Sequence, residues 1–162
     1  MELKQTFVIK SFSDVMKVHS YLGQHHGKAA YESKPLVVKV GQKEEERSLA
    51  QNRLYWKWLQ QWSKHQGTDK DSEHLFFKRQ FLISIFNRDD PEFAEMCAAI
   101  KALKENEIAE YQAIADQVIK LTSTTKASVK QMTEYLELID AFCLKHGVKL
   151  VTPEDLMWCY EN

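Results

Sequence analysis

The chain has 162 residues, 44% of them hydrophobic, with 22 Lys+Arg against 23 Asp+Glu and a formal net charge of −1. That is enough apolar material for one domain with a real core, and too even a charge balance for a generally basic nucleic-acid binder. Cys97, Cys143 and Cys159 are scattered, without CxxC or Cys/His ligand spacing, which excludes a disulfide framework and a structural zinc site. No signal-peptide core or apolar run of membrane-spanning length is visible, so a soluble, intracellular chain with no membrane partner is expected.

In chain order, residues 3–10 are rich in β-formers and read as a strand. Ser13 can cap a helix to about Gln24, with Val15, Val18 and Leu22 on its buried side and Gly23 and Gly27 helping to end it. Pro35 opens a second strand over 36–40, stopped by Gly41. Two strands flanking one helix suggest a small parallel sheet. Ser48 is then expected as an N-cap, with Gln51 closing a capping box, for a helix that runs to about Gln66 and ends at Gly67.

This helix carries three of the four tryptophans, Trp56, Trp58 and Trp62. At about 100° per residue, Arg53, Lys57, Gln60 and Lys64 share one stripe, and Leu54, Tyr55, Trp58, Leu59 and Trp62 cover the other side. Trp56 falls at the edge of the apolar arc, beside the cations, where part of its ring can reach solvent. Arg47 precedes the helix, where free N–H groups and the helix dipole favour anions. The stripe suits a phosphate backbone, yet cations on the outside of an amphipathic helix are normally a solvated face. Spacing alone leaves both readings open.

Asp71 or Ser72 is expected to cap the next helix, where Leu75, Phe76, Phe77, Phe81, Leu82, Ile85 and Phe86 crowd together. So apolar a segment is either central to the core or covered by another subunit. Pro91 starts a long acidic helix to about Val118, residues 120–127 form a loop, and Ser128 caps a strong amphipathic helix ended by Gly147. Pro153, after Thr152 as N-cap, opens a short last helix. Residues 87–117 hold three Lys/Arg against eight Asp/Glu and residues 153–162 add three acids without a cation, so the rest of the chain is net positive and can carry a basic groove.

The expected fold is α+β: a helix-dominated single domain over 1–162 with a small N-terminal β-sheet. Its parts are a strand–helix–strand unit (1–43), Trp-rich and apolar helices (48–86), an acidic helical segment (87–117) and C-terminal helices (128–162). No catalytic pattern emerges. The acids between His65 and His74 match a calcium loop only at Asp69, Asp71 and Glu73, without its glycine and closing glutamate. No phosphate loop, nucleophile elbow or activated cysteine is evident, and no cofactor or metal is expected.

Lys34-Pro35-Leu36-Val37-Val38, followed by Arg47-Ser48-Leu49-x-Gln51-Asn52-Arg53-x-x-Trp56, resembles the NinB (Orf) recombination proteins of lambda-like phages. The C-terminal runs 123–126, 135–142 and 146–149 agree, in the family's order, while the acidic 87–117 segment departs from the pattern. The resemblance implies a non-enzymatic recombination mediator in the cytoplasm of the bacterial host. Such a protein is an intertwined homodimer that binds single-stranded DNA and the host single-stranded-DNA-binding protein to assist recombinase loading. By residue-for-residue match, the DNA-contact candidates are Arg47, Gln51, Asn52, Arg53, Trp56 and Lys126. Lys57, Lys64 and Lys130 are added on helical geometry alone. The rival readings are a protein-interaction adaptor with little DNA binding of its own, suggested by the acidic segment, and, with less behind it, a structure-selective nuclease.

Overall fold

The computed structural model describes residues 4–41 and 43–160, the side chains of 43–46 excepted, and among them every regular element is a helix. The expected α+β fold with an N-terminal sheet is corrected to all-α. Residues 4–9 and 34–41 are irregular. Between them α1 spans Phe12–Tyr31. It begins where the Asp14 carboxylate accepts the N–H groups of Lys10 and Ser11, both at 3.0 Å. It then continues through Gly23 and Gly27, because a helical glycine costs only about 1 kcal/mol and neither position is crowded. The β-branched run 36–40 has no strand to pair with among the described residues, and Val40 is 95% exposed. β-Propensity reflects packing on a pleated surface, so without a neighbouring strand it does not make one.

Helix α2, Lys43–Gln66, is the axis of the core. It starts well before Ser48, which therefore lies inside the helix and does not cap it. Glutamate is a good helix former, and the sequence 44–46 lets the helix extend ahead of Ser48. Ala50, Leu54, Tyr55, Trp58, Leu59 and Trp62 are buried along it.

Asp69 caps α3, Lys70–Phe77, accepting from the Ser72 N–H at 2.9 Å and the Ser72 hydroxyl at 2.6 Å. A wider π turn, Lys78–Leu82, leads directly into α4, Ile83–Asp89. Phe77, Leu82, Ile85 and Phe86 are buried in one core with residues of α2 and of α7, Val129–Lys145. The Phe142 ring of α7 lies 5.7–5.9 Å from those of Phe77, Trp62 and Phe81. The apolar crowding at 75–86 thus serves the chain's own core, and of its phenylalanines only Phe76 stays exposed.

The acidic segment is two helices and not one. α5, Pro91–Glu105, and α6, Tyr111–Leu121, are separated at Asn106–Glu110, where Glu107 takes a left-handed φ of 56°. Within the π turn, buried Lys78 donates from Nζ to the Lys120 carbonyl at 3.1 Å, and Arg79 pairs with Asp116 at 2.8 Å. These bonds tie the acidic hairpin to the core.

Ser128 caps α7 as its sequence predicts. The Gln131 N–H donates to Ser128 Oγ at 3.2 Å, and the Ser128 N–H to Gln131 Oε1 at 3.0 Å. Gly147, at φ 80°, ends the helix. The last helix, α8, Met157–Tyr160, folds back onto α2, with the Tyr160 ring 5.1 Å from that of Trp58. No helix among the described residues is long and apolar enough to cross a membrane.

Candidate nucleic-acid interface

The string Arg47–Trp56 divides into residues that build the fold and residues that face out of it. Gln51 has no exposed surface. Its Nε2 donates to Thr133 Oγ1 at 2.8 Å and lies 3.3 Å from the Cys159 carbonyl, so it joins α2 to α7 and α8. Arg47 donates from Nε to that same carbonyl at 3.1 Å. The half-buried Asn52 accepts from Thr124 Oγ1 at 2.9 Å, which fixes the 3-10 turn Thr124–Lys126 against α2. Gln51 is thus taken up in the core, while Arg47 and Asn52 are half-buried and hydrogen-bonded into the fold.

Arg53, Lys57 and Lys64 are exposed on one side of α2, and none of them is ion-paired with a described residue. That contrasts with Arg88, which is held between Asp89 and Glu134 at 2.6 and 2.8 Å. Lys57, Gln60, Gln61 and Lys64, with Pro153, line an open cleft of about 290 Å³. Its far wall is fixed by Gln61, which both donates to the Val151 carbonyl and accepts from the Val151 N–H at 2.8 Å. A cation free of carboxylates and open to solvent can exchange counterions for phosphates, which is where backbone affinity originates.

Trp56 is 37% exposed, as its edge position predicts, and is one turn from Arg53, a spacing at which helix side chains are neighbours. Trp58 and Trp62 are buried, and the Trp62 indole N–H donates to Glu73 at 2.7 Å. Behind Trp56 stands His74, ring centroids 4.7 Å apart and planes 35° from parallel. His74 Nδ1 is 2.7 Å from the Tyr55 hydroxyl, itself 3.1 Å from that of Tyr135. Lys126 and Lys130 are exposed near the start of α7. Lys130 lies close enough to Asp89 and Glu134 to help hold their carboxyls below the usual range, after the larger effect of Arg88, so part of its charge is already compensated. The structure therefore gathers Arg53, Trp56, Lys57 and Lys64 on the open side of α2, and sets Lys126 and Lys130 beside α7.

A family model described as NinB protein matches residues 4–151. The chain belongs to the NinB family. No curated protein and no solved structure matches it significantly. Membership suggests a role in phage recombination, and the family match extends from the N-terminal arm past α7.

His74 of this NinB chain is a residue that sequence reasoning passed over, because only tertiary packing brings it behind Trp56. Burial first, and then the Lys78 ammonium, lower its pKa from 6.5 to about 4. It is neutral in the folded chain at pH 6, while the unfolded chain binds a proton. Stability should therefore fall as pH drops from about 6.5 to about 4, by on the order of 2 kcal/mol after discounting for solvent contact. Asp89, held at about 2 by Arg88 and Gln131, contributes its own loss only at lower pH. Urea unfolding between pH 7 and 4.5 checks this: the parent should lose stability, and His74→Phe should give a flatter curve.

Burial also pushes the Cys143 thiol up to about 12 and that of Cys159 to about 11, so both remain protonated. Among the described residues no three His, Cys, Asp or Glu side chains converge on a possible metal position.

Proposed function

We propose that this NinB-family chain binds single-stranded DNA along the outer face of α2. In this reading it works without catalysis, together with the host single-stranded-DNA-binding protein, to assist recombinase loading in the host cytoplasm. The observation that carries the reading is the stripe of Arg53, Lys57 and Lys64, none ion-paired with a described residue, beside the half-open Trp56. Phosphates can sit on the cations while an unpaired base meets the indole, a combination suited to single strands and sequence-tolerant. Titration of labelled single-stranded and duplex DNA against salt tests it. Preference for the single strand is expected, with a log–log salt slope of about −2 to −3 from three or four cations, and no cleavage when Mg²⁺ is added. Equal affinity for duplex or a salt-independent signal would contradict it, and cleavage would favour the nuclease reading.

The protein acts as a homodimer in this proposal. The support comes from the N-terminal arm, since the 75–86 segment is used up in the core. Of the α1 residues Ala29 alone is buried, while Phe12 is 78% exposed and Val15, Met16, Val37 and Val38 are also open. A run of this kind is a face that a second copy can cover. Light scattering should return about twice 19.0 kDa, and Phe12→Glu with Met16→Glu should halve it. A parent mass near 19.0 kDa at every concentration would end this part of the proposal. The adaptor reading draws on the acidic α5–α6 hairpin, and it takes over if no DNA binding is seen.

A further inference from the structure

The Tyr135, Tyr55 and His74 side chains form a hydrogen-bonded line that runs from the core to the underside of Trp56. Tyr55 and Tyr135 are fully buried and their hydroxyls are 3.1 Å apart. The next link, Tyr55 to His74 Nδ1, is 2.7 Å. With a neutral imidazole, each hydroxyl can donate once: Tyr135 to Tyr55, and Tyr55 to Nδ1 of the Nε2-protonated tautomer. A ring hydrogen-bonded at one nitrogen and partly buried is restrained from swinging aside. Beyond it, the Trp56 ring is 4.7 Å from the imidazole and 5.6 Å from the Tyr55 ring, the latter at 63°, and those two rings are themselves 5.6 Å apart. Trp56 is thus flanked by two adjoining rings and keeps 37% of its surface open.

We propose that His74 is a positioning residue for Trp56, holding the indole as a fixed, outward-facing platform on which a base of single-stranded DNA stacks. The inference rests on the reading of α2 as the DNA-binding face. A free indole on a helix surface samples several rotamers and loses that freedom on stacking, whereas a braced one has lost it already. Burial also keeps the imidazole uncharged at neutral pH, so its contact with Trp56 is ring against ring and does not vary as phosphates arrive. The bracing residues come from α2, α3 and α7, so the platform depends on the assembled core.

Two readouts test this, one of them independent of DNA. The first is a double-mutant cycle on binding of fluorescein-labelled oligothymidylate. Trp56→Ala is expected to weaken binding by about 5- to 150-fold, the equivalent of one stacked base. His74→Ala should weaken it by at least about 3-fold in the parent and have no further effect when Trp56 is already alanine. His74→Phe keeps a ring of similar size and is expected to retain most of the affinity. The second readout is the time-resolved anisotropy of Trp56, taken as the difference between each protein and its Trp56→Phe counterpart. His74→Ala should add a fast local component, absent from the parent and reduced in His74→Phe. Equal effects of His74→Ala with and without Trp56, or an unchanged Trp56 anisotropy, would overturn the proposal. If the parent binds no oligothymidylate, the DNA-binding reading fails, and with it the platform's use, while the anisotropy still decides whether His74 holds the indole.

Discussion

Trp58→Ala is expected to cost about 3–5 kcal/mol of stability, the largest effect of any single truncation considered for this chain. The ring is almost wholly buried at the centre of α2, and it meets the Tyr160 ring of α8 edge-on at 5.1 Å. Alanine would leave a cavity at the junction of α2 and α8. Among the described residues the indole N–H of Trp58 has no hydrogen-bond partner, so Trp58→Phe forfeits volume and no polar contact. That variant should cost about 1–2 kcal/mol. Urea unfolding checks both values. Neither substitution should change oligonucleotide binding under conditions where the protein stays folded.

The second large effect is on binding. Arg53→Glu is expected to weaken single-stranded DNA binding by about tenfold or more and to make the salt slope shallower by about 0.7. It removes one phosphate contact and adds a repelling charge beside Trp56 and Lys57. Because Arg53 is exposed and unpaired with described residues, Arg53→Ala should leave stability within about 0.5 kcal/mol of the parent. The loss should be the same for all sequences, since phosphates carry no base information. A folded Arg53→Glu protein that binds like the parent would reduce the stripe to a solvated surface, and the adaptor reading would then lead.

Helical periodicity made much of this architecture legible. The buried set on α2, the capped α7 and the outward placement of Trp56 all follow from 3.6-residue spacing and from cap chemistry close by in the chain. The irregular N-terminal arm did not, because the β-branched run 36–40 has the composition of a strand while pairing depends on a partner strand, and none is present among the described residues. The start of α2 lies ahead of Ser48 for a related reason. A good cap sequence competes with the helix-forming glutamates before it, and the glutamates win.

The geometry of the candidate site was legible in part. Arg53, Lys57 and Lys64 could be read from angular position. Gln51 and Asn52, in contrast, turn inward to meet Thr133 and Thr124, residues more than seventy positions away. His74 shows no sequence signal at all, since its function as a brace depends on where α3 crosses α2. Charge segregation pointed to the acidic 87–117 segment but not to its hairpin, which hinges on the left-handed Glu107.

The most direct test of the DNA-binding face is ultraviolet crosslinking of the parent to oligothymidylate substituted with 5-bromodeoxyuridine, followed by mapping of the modified peptides. Stacking of a base on the indole predicts an adduct on Trp56, with any further adducts confined to α2 around Arg53 and Lys57. Adducts confined to other helices, or a bound oligonucleotide that leaves α2 unmodified, would contradict it.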